Sequence, residues 1–218
     1  MNTPLGRAAG NWLEVKESVA CLEPDVLPAS CRQTHSSQPR RQDAGGTLND
    51  LRSLVVTCAA HLLLQTKKAR SLSGGREEAE KCLASGEPRK KWDEMLAAQG
   101  ADLKAFNKKL SYDSTAPATA ELKAARAGFV SKCDARIIGE VIRDFGGGRL
   151  TKESKINYNV GVDQLAKPGE RVEKSATLCR VHAASSSQAR TALAHLQTAF
   201  EISSERPART PLIEEIIR

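Results

Sequence analysis

Between Gly128 and Arg149 the pattern of apolar and polar positions reads as a short strand, a capped helix and a glycine stop. Asp134 is placed to accept a hydrogen bond from an N–H of the first turn. Ile137, Ile138, Val141, Ile142 and Phe145 then recur at helical spacing and form one apolar stripe. Such a stripe needs a sheet to cover it. The spacing predicts strands over Ile156–Val162, where Ile156, Tyr158, Val160 and Val162 alternate, and over Ala176–Val181. A helix beside a small sheet is the minimal core of an α/β or α+β fold.

Further helices are predicted on both sides. Gly10-Asn11-Trp12-Leu13-Glu14-Val15 opens one, with Asn11 as N-cap, Glu14 completing a capping box, and Trp12, Val15, Val19 and Leu22 on the inner face. A long helix starts at Thr47 or Asn49, and Leu48, Leu51, Val55, Cys58 and Leu62 keep one face apolar up to Lys67-Lys68. Another runs from Arg76 to Ser85-Gly86, and Pro88 suits the first turn of the next, whose Trp92, Met95 and Leu96 read as core. Asp102–Ala120 is looser and marks a boundary. Pro168-Gly169 fits a type II turn, and the last helix starts at Ser186 with Ala189, Leu193, Leu196 and Phe200 inward. Ser30–Gly46 is polar, without periodicity, and is expected to be a disordered loop.

Composition narrows the function classes. A chain of 218 residues with 40% apolar residues can bury a sizeable core. Its net charge of +7 is spread in short basic pairs, and aromatic residues are only 4%, so the stacking platform of nucleic-acid binders is missing and no nucleic-acid partner is expected. The longest apolar run falls far short of the roughly 20 residues a membrane helix needs, so a soluble, cytoplasmic protein without a membrane partner is expected. The six cysteines show no C-x-x-C pairing and read as free thiols.

Candidate chemistry is sparse. Pro4–Gly10 is a glycine-punctuated loop whose carbonyls, with Glu17, could hold a hard cation. Cys58 and His61 could form half of a zinc site, but no second pair completes it. Gly146-Gly147-Gly148-Arg149 invites a phosphate-loop reading, yet it follows a helix and so faces the negative end of its dipole. His182 and His195 read as structural. No nucleophile elbow and no isolated pair of carboxylates is present.

Taken together, Met1–Gly6, Gly10–Val15, Met95–Gly100, Gly128–Val130, Gly146–Arg149, Tyr158–Gly161 and Gly169–Val172 resemble the thymidine phosphorylase and pyrimidine-nucleoside phosphorylase family, specifically its C-terminal half. The resemblance implies a helical remainder of a central α/β domain over 1–117, interrupted by 30–46, and over 118–218 a C-terminal domain of barrel-sandwich and hammerhead type. It implies cleavage of a pyrimidine nucleoside by inorganic phosphate as co-substrate, giving base and pentose 1-phosphate, in an enzyme that is a homodimer at full length. The family's phosphate loop and the Arg, Ser and Lys that hold the base lie before its Met-Asn-x-Pro-Leu-Gly segment, where this chain starts. No catalytic or substrate-binding residue is therefore carried over, and the chain alone is expected to be inactive. Leu5, Ala8 and Glu17 correspond to part of a monovalent-cation (potassium) site. The alternative is a non-catalytic module that complements a separate N-terminal half or binds a partner.

Overall fold

The computed structural model describes residues 2–24, 49–208 and 210–217. The loop expected over Ser30–Gly46 lies outside the described residues. The fold is mixed α/β and divides into two compact units. One takes the described residues up to Glu17 and again from Asp113 to Thr210, and the other takes the described residues from Ser18 to Tyr112 and those from Pro211 onward.

The first unit is built on two antiparallel three-stranded sheets. β1 (Ala118–Lys123), β3 (Gly161–Asp163) and β5 (Thr177–Ala183) form one in the order β1-β5-β3, with His182 opposite Thr119 on one side and Gly161 on the other. β2 (Gly128–Cys133), β4 (Arg171–Val172) and β6 (Phe200–Ser203) form the second in the order β4-β2-β6. β5 is buried on both faces, and its polar residues Arg180 and His182 are accommodated because each meets polar partners, Asp163 and Ser114 respectively.

α6 (Ala135–Ile142) is the predicted central helix, and Asp134 caps it by accepting from the N–H groups of Arg136 and Ile137 at 2.9 and 3.2 Å. Ile138, Val141 and Ile142 pack with Leu165, Leu178, Val181 and, from α7 (Ser186–Leu196), Ala189, Ala192 and Leu196. A π-helical turn, Arg143–Gly147, ends α6, and Gly146 turns left-handed at φ 91°. The expected type II turn forms as well: Gly169 sits at φ 87° and the Glu170 N–H reaches the Lys167 carbonyl at 3.1 Å.

The predicted strand over Ile156–Val162 is mostly not a strand. Only Gly161–Asp163 pairs with β5, because Asn157 offers the local backbone a side-chain partner. The Asn159 N–H bonds the Asn157 side chain at 3.1 Å, the Asn157 N–H reaches the Gly146 carbonyl at 2.7 Å, and Tyr158 is 59% exposed. Phe200 likewise leaves the predicted last helix, which closes through a 3-10 turn, and enters β6.

α1 (Asn11–Leu22) begins one residue earlier than a cap at Asn11 requires. Gly10 takes the turn at φ 114°, its carbonyl accepts the Glu14 N–H at 2.9 Å, and the Asn11 amide instead donates to the Gly147 carbonyl at 2.8 Å. Glycine is needed at position 10, since a Cβ there would lie 2.6 Å from the Val160 carbonyl oxygen.

In the second unit α2 (Asn49–Gln65) packs on α3 (Leu72–Ser85) through Val56, Ala79 and Leu83, with Leu22, Ala59 and Leu63 at the margin. Gly75 lets the two helices approach, as a Cβ there would stand 2.8 Å from the Ala60 carbonyl oxygen. α3 starts about a turn before Arg76 because Ser71 caps it, accepting from the Gly74 N–H at 3.1 Å. Gly86 ends it left-handed at φ 78°, and α4 (Glu87–Ala98) follows. Of the stripe expected to be α2's core face, Val55, Cys58 and Leu62 point outward and Leu51 is half-buried, and α4 has no buried residue, so Met95 is surface rather than core. A further helix, α5 (Leu103–Leu110), occupies the segment expected to be loose; Asp102 caps it through the Ala105 N–H at 3.0 Å.

Two substitutions test this account in urea titrations of the first unit. Ile138→Ala, at a fully buried position, is expected to cost about 2–5 kcal/mol. Asp134→Ala is expected to cost about 1 kcal/mol through the lost cap. Equal effects of the two would mean that α6 is held by its cap rather than by its stripe.

Candidate functional site

The first side-chain cluster gathers where the opening loop lies against residues 161–170. Gly6 turns left-handed at φ 66°, which swings the N–H groups of Arg7 and Ala8 onto the Glu17 carboxylate at 2.6 and 3.2 Å. A Cβ on Gly6 would meet that carboxylate at 2.3 Å. Ala9 and Val162 exchange backbone hydrogen bonds of 2.9 and 2.8 Å, extending the first sheet by one bridge.

Arg7 locks the loop. Its guanidinium donates to the Leu165 carbonyl at 2.8 Å and to both oxygens of Glu170, one at 3.2 Å. The two side chains are 12% and 13% exposed. Glu170 also accepts the Lys167 N–H at 3.1 Å, and the Lys167 ammonium donates to the Pro4 carbonyl.

The three residues singled out for a cation are thus placed in one loop and the helix after it. Ala8 meets Glu17 through its N–H rather than its carbonyl. The carbonyl oxygens of Leu5 and Ala8 accept no hydrogen bond from the described residues. Among the described residues no three His, Cys, Asp or Glu side chains are arranged to hold a metal ion, and Cys58 is an exposed thiol.

A second cluster lies along β3 and β5. Arg180 donates to both oxygens of Asp163, at 2.9 and 2.6 Å, and to both oxygens of Asp113, at 2.6 and 3.1 Å. His182 has its Nδ1 2.9 Å from the Ser114 hydroxyl, and its Nε2 lies 3.1 Å from Asp163 but off the line of a good hydrogen bond. Ser114, His182 and Asp163 together have the residue types of a hydrolytic triad. The environment argues for structure instead. The His182 side chain is 1% exposed, and the Ser114 hydroxyl already accepts the Ala116 N–H at 3.1 Å. No substrate can reach the ring.

Burial pushes the Asp163 carboxyl up, but Arg180's hydrogen bonds and charge, with His182 beside it, outweigh burial and hold it below the usual carboxylate range. The same pairing raises Arg180. Burial pushes the Cys133 thiol up to about 12, so it stays protonated and unreactive at neutral pH. The glycine run after α6 does the work of chain reversal: Gly147 is wedged against Ile142 and Val160, and its carbonyl is taken by Asn11.

The sequence singles out Leu5, Ala8 and Glu17 as cation ligands; it gives no signal for the pairing of Arg7, Lys167 and Glu170 or of Asp163 and Arg180. Arg7 and Glu170 are 163 positions apart, and no local pattern announces such a pair.

Comparison with known proteins identifies the architecture that carries these clusters. Residues 129–203, from β2 to β6, match the family described as pyrimidine nucleoside phosphorylase C-terminal domain. Over its whole length the chain is similar to thymidine phosphorylases. It is 30% identical over 218 residues to that of Rhizobium meliloti (strain 1021), covering 100% of this chain and 45% of the relative. It is 33% identical over 208 residues to that of Agrobacterium fabrum, covering 95% and 43%, and 28% identical over 213 residues to that of Colwellia psychrerythraea, covering 98% and 44%. The chain spans less than half the length of these curated relatives and matches their C-terminal part.

The lowered Asp163 carboxyl fixes the sign of a pH effect. Its pairing contributes stability above the unfolded carboxyl pKa of about 4 and is lost as the pH falls through the lower folded value. Asp163→Asn is expected to flatten the acid limb of the stability-against-pH curve while lowering stability at pH 7, measured by thermal unfolding. An unchanged acid limb would assign that limb to other carboxylates.

Proposed function

We propose that this chain is the C-terminal part of a thymidine phosphorylase-type enzyme, a pentosyltransferase that splits a pyrimidine nucleoside with phosphate into base and pentose 1-phosphate. The observation that carries the reading is similarity along the entire chain to proteins named thymidine phosphorylase. In this reaction phosphate attacks the anomeric carbon while positive charge builds on the sugar ring. Catalysis then rests on aligning phosphate and base and stabilising that charge.

This chain's own residues contribute scaffold. The largely buried Arg7–Glu170 pair and the Ala9–Val162 bridge hold the opening loop in one conformation, and Asp163, Arg180 and His182 fasten β3 to β5. The groups that grip phosphate and nucleobase are supplied by residues other than these 218, so the chain alone is inactive. The assembled enzyme is a homodimer.

The Leu5 and Ala8 carbonyls with the Glu17 carboxylate form part of a potassium site. Their chemistry fits: all three are oxygen donors, and the two carbonyls are not otherwise engaged among the described residues. Three donors are fewer than a hard cation takes, so further ligands come from outside this set.

The test is phosphate-dependent release of thymine from thymidine, with uridine assayed in parallel. The 218-residue chain is assayed alone and after co-expression with the part of the Rhizobium meliloti enzyme that the match leaves uncovered. No release by the chain alone and release by the pair are expected. Turnover by the chain alone would overturn the assignment of the gripping groups elsewhere. A pair that copurifies but releases no base from either nucleoside would overturn the phosphorylase reading.

A further inference from the structure

The second unit contains its own standard for what an exposed helix looks like. α3 covers its outer face with charge, Glu77 pairing with Lys81 and Arg76 with Glu80, and α4 does the same with Glu87–Lys90 and Lys91–Glu94. α2 does not. From Ser53 to Thr66 it carries no Asp, Glu, Lys or Arg.

One face of α2 is accounted for. Val56 and Ala60 are buried, Leu63 is half-buried beside them, and the Thr57 hydroxyl accepts a 2.6 Å hydrogen bond from Arg76 of α3. The opposite face is equally apolar and open: Val55 is 39% exposed, Leu62 61%, and Cys58 between them is exposed. These positions follow one another at i, i+3 and i+7, the spacing of a continuous stripe. A helix that is apolar all round is one buried all round. A stripe of this kind, framed by helices that present ion pairs, marks an interaction surface.

We propose that the Val55–Cys58–Leu62 face of α2 is a docking face for the segment that thymidine phosphorylases carry outside the part matched here, joined in the same polypeptide or supplied by another. This rests on the reading of the chain as part of such an enzyme. The relatives supply the argument for the occupant: more than half of their length lies outside the match, enough to form a domain with an apolar face of its own. The occupant presents apolar side chains, because α2 offers no charge to pair across the contact.

Cys58 makes the face directly measurable. In the full chain alone, iodoacetamide is expected to alkylate Cys58 as readily as Cys82, which is exposed on α3 and serves as the internal reference. In the complex co-expressed with the unmatched part of the Rhizobium meliloti enzyme, Cys58 alkylation is expected to slow at least tenfold while Cys82 is unaffected. Leu62→Asp is expected to prevent copurification without shifting the thermal unfolding of the chain alone, since the side chain it replaces is in solvent. Cys58 already protected in the chain alone would overturn the proposal, its concentration dependence separating a second copy from the chain's own residues. So would a complex in which Cys58 reacts freely, or no complex at all. A complex that protects Cys58 but releases no thymine overturns the phosphorylase reading and leaves the docking face standing.

Discussion

The contact on which the first unit depends is the ion pair between Arg7 and Glu170. Both side chains are nearly buried, so each has lost most of its hydration, and a single charge left there without its partner would cost several kcal/mol. The pair is tolerable because every strong demand around it is met. Glu170 takes the Lys167 N–H as well as the guanidinium, and Arg7 reaches the Leu165 carbonyl besides. The turn that positions Glu170 needs Pro168 and Gly169, and the loop that positions Arg7 needs Gly6 and Gly10. Two distant turns are thereby committed to one geometry, and the pair selects it by penalising every other.

The Asp163–Arg180–Asp113 system applies the same logic at an edge of the sheet. Arg180 bridges two carboxylates, one mostly buried and one in solvent, so its stabilising effect is concentrated on the Asp163 side, where water does not screen it. His182 completes the arrangement from near the end of β5, between two neighbouring strands. Residue types that elsewhere perform hydrolysis here tie a strand to the segment that enters the unit at Asp113. Identity alone would have misled; burial decides.

Elements whose signals are local could be read from the sequence. Asp134 and the stripe behind it specify α6, and Pro168-Gly169 specifies its turn, because cap, period and turn chemistry act within a few residues. What could not be read depended on partners far along the chain. The alternation from Ile156 to Val162 looks like a strand, but Asn157 takes the N–H groups of Asn159 and Val160 before a neighbouring strand can. The apolar stripe of α2 was visible, yet which side meets α3 was not, since Val56, Ala60 and Leu63 are as apolar as Val55 and Leu62. α5 was hidden by its basic pair and shortness, although Asp102 was a readable cap. Of the candidate site, the opening loop and Glu17, separated by only about ten residues, could be set beside each other from the sequence, whereas Arg7 and Glu170 meet only after the whole unit has closed.

Gly10 and Gly161 stand back to back, each so near the other's strand that a methyl group on either would strike main-chain atoms, at 2.6 Å from Val160 and 2.4 Å from Ala9 respectively. The spacing is set by backbone alone, with no side chain able to swing aside. A single added carbon at either position would therefore act as a wedge, prising the Ala9–Val162 bridge apart and drawing Arg7 off Glu170 although neither charged residue had been touched. A low tolerance for change thus lies where the sequence is chemically most bland.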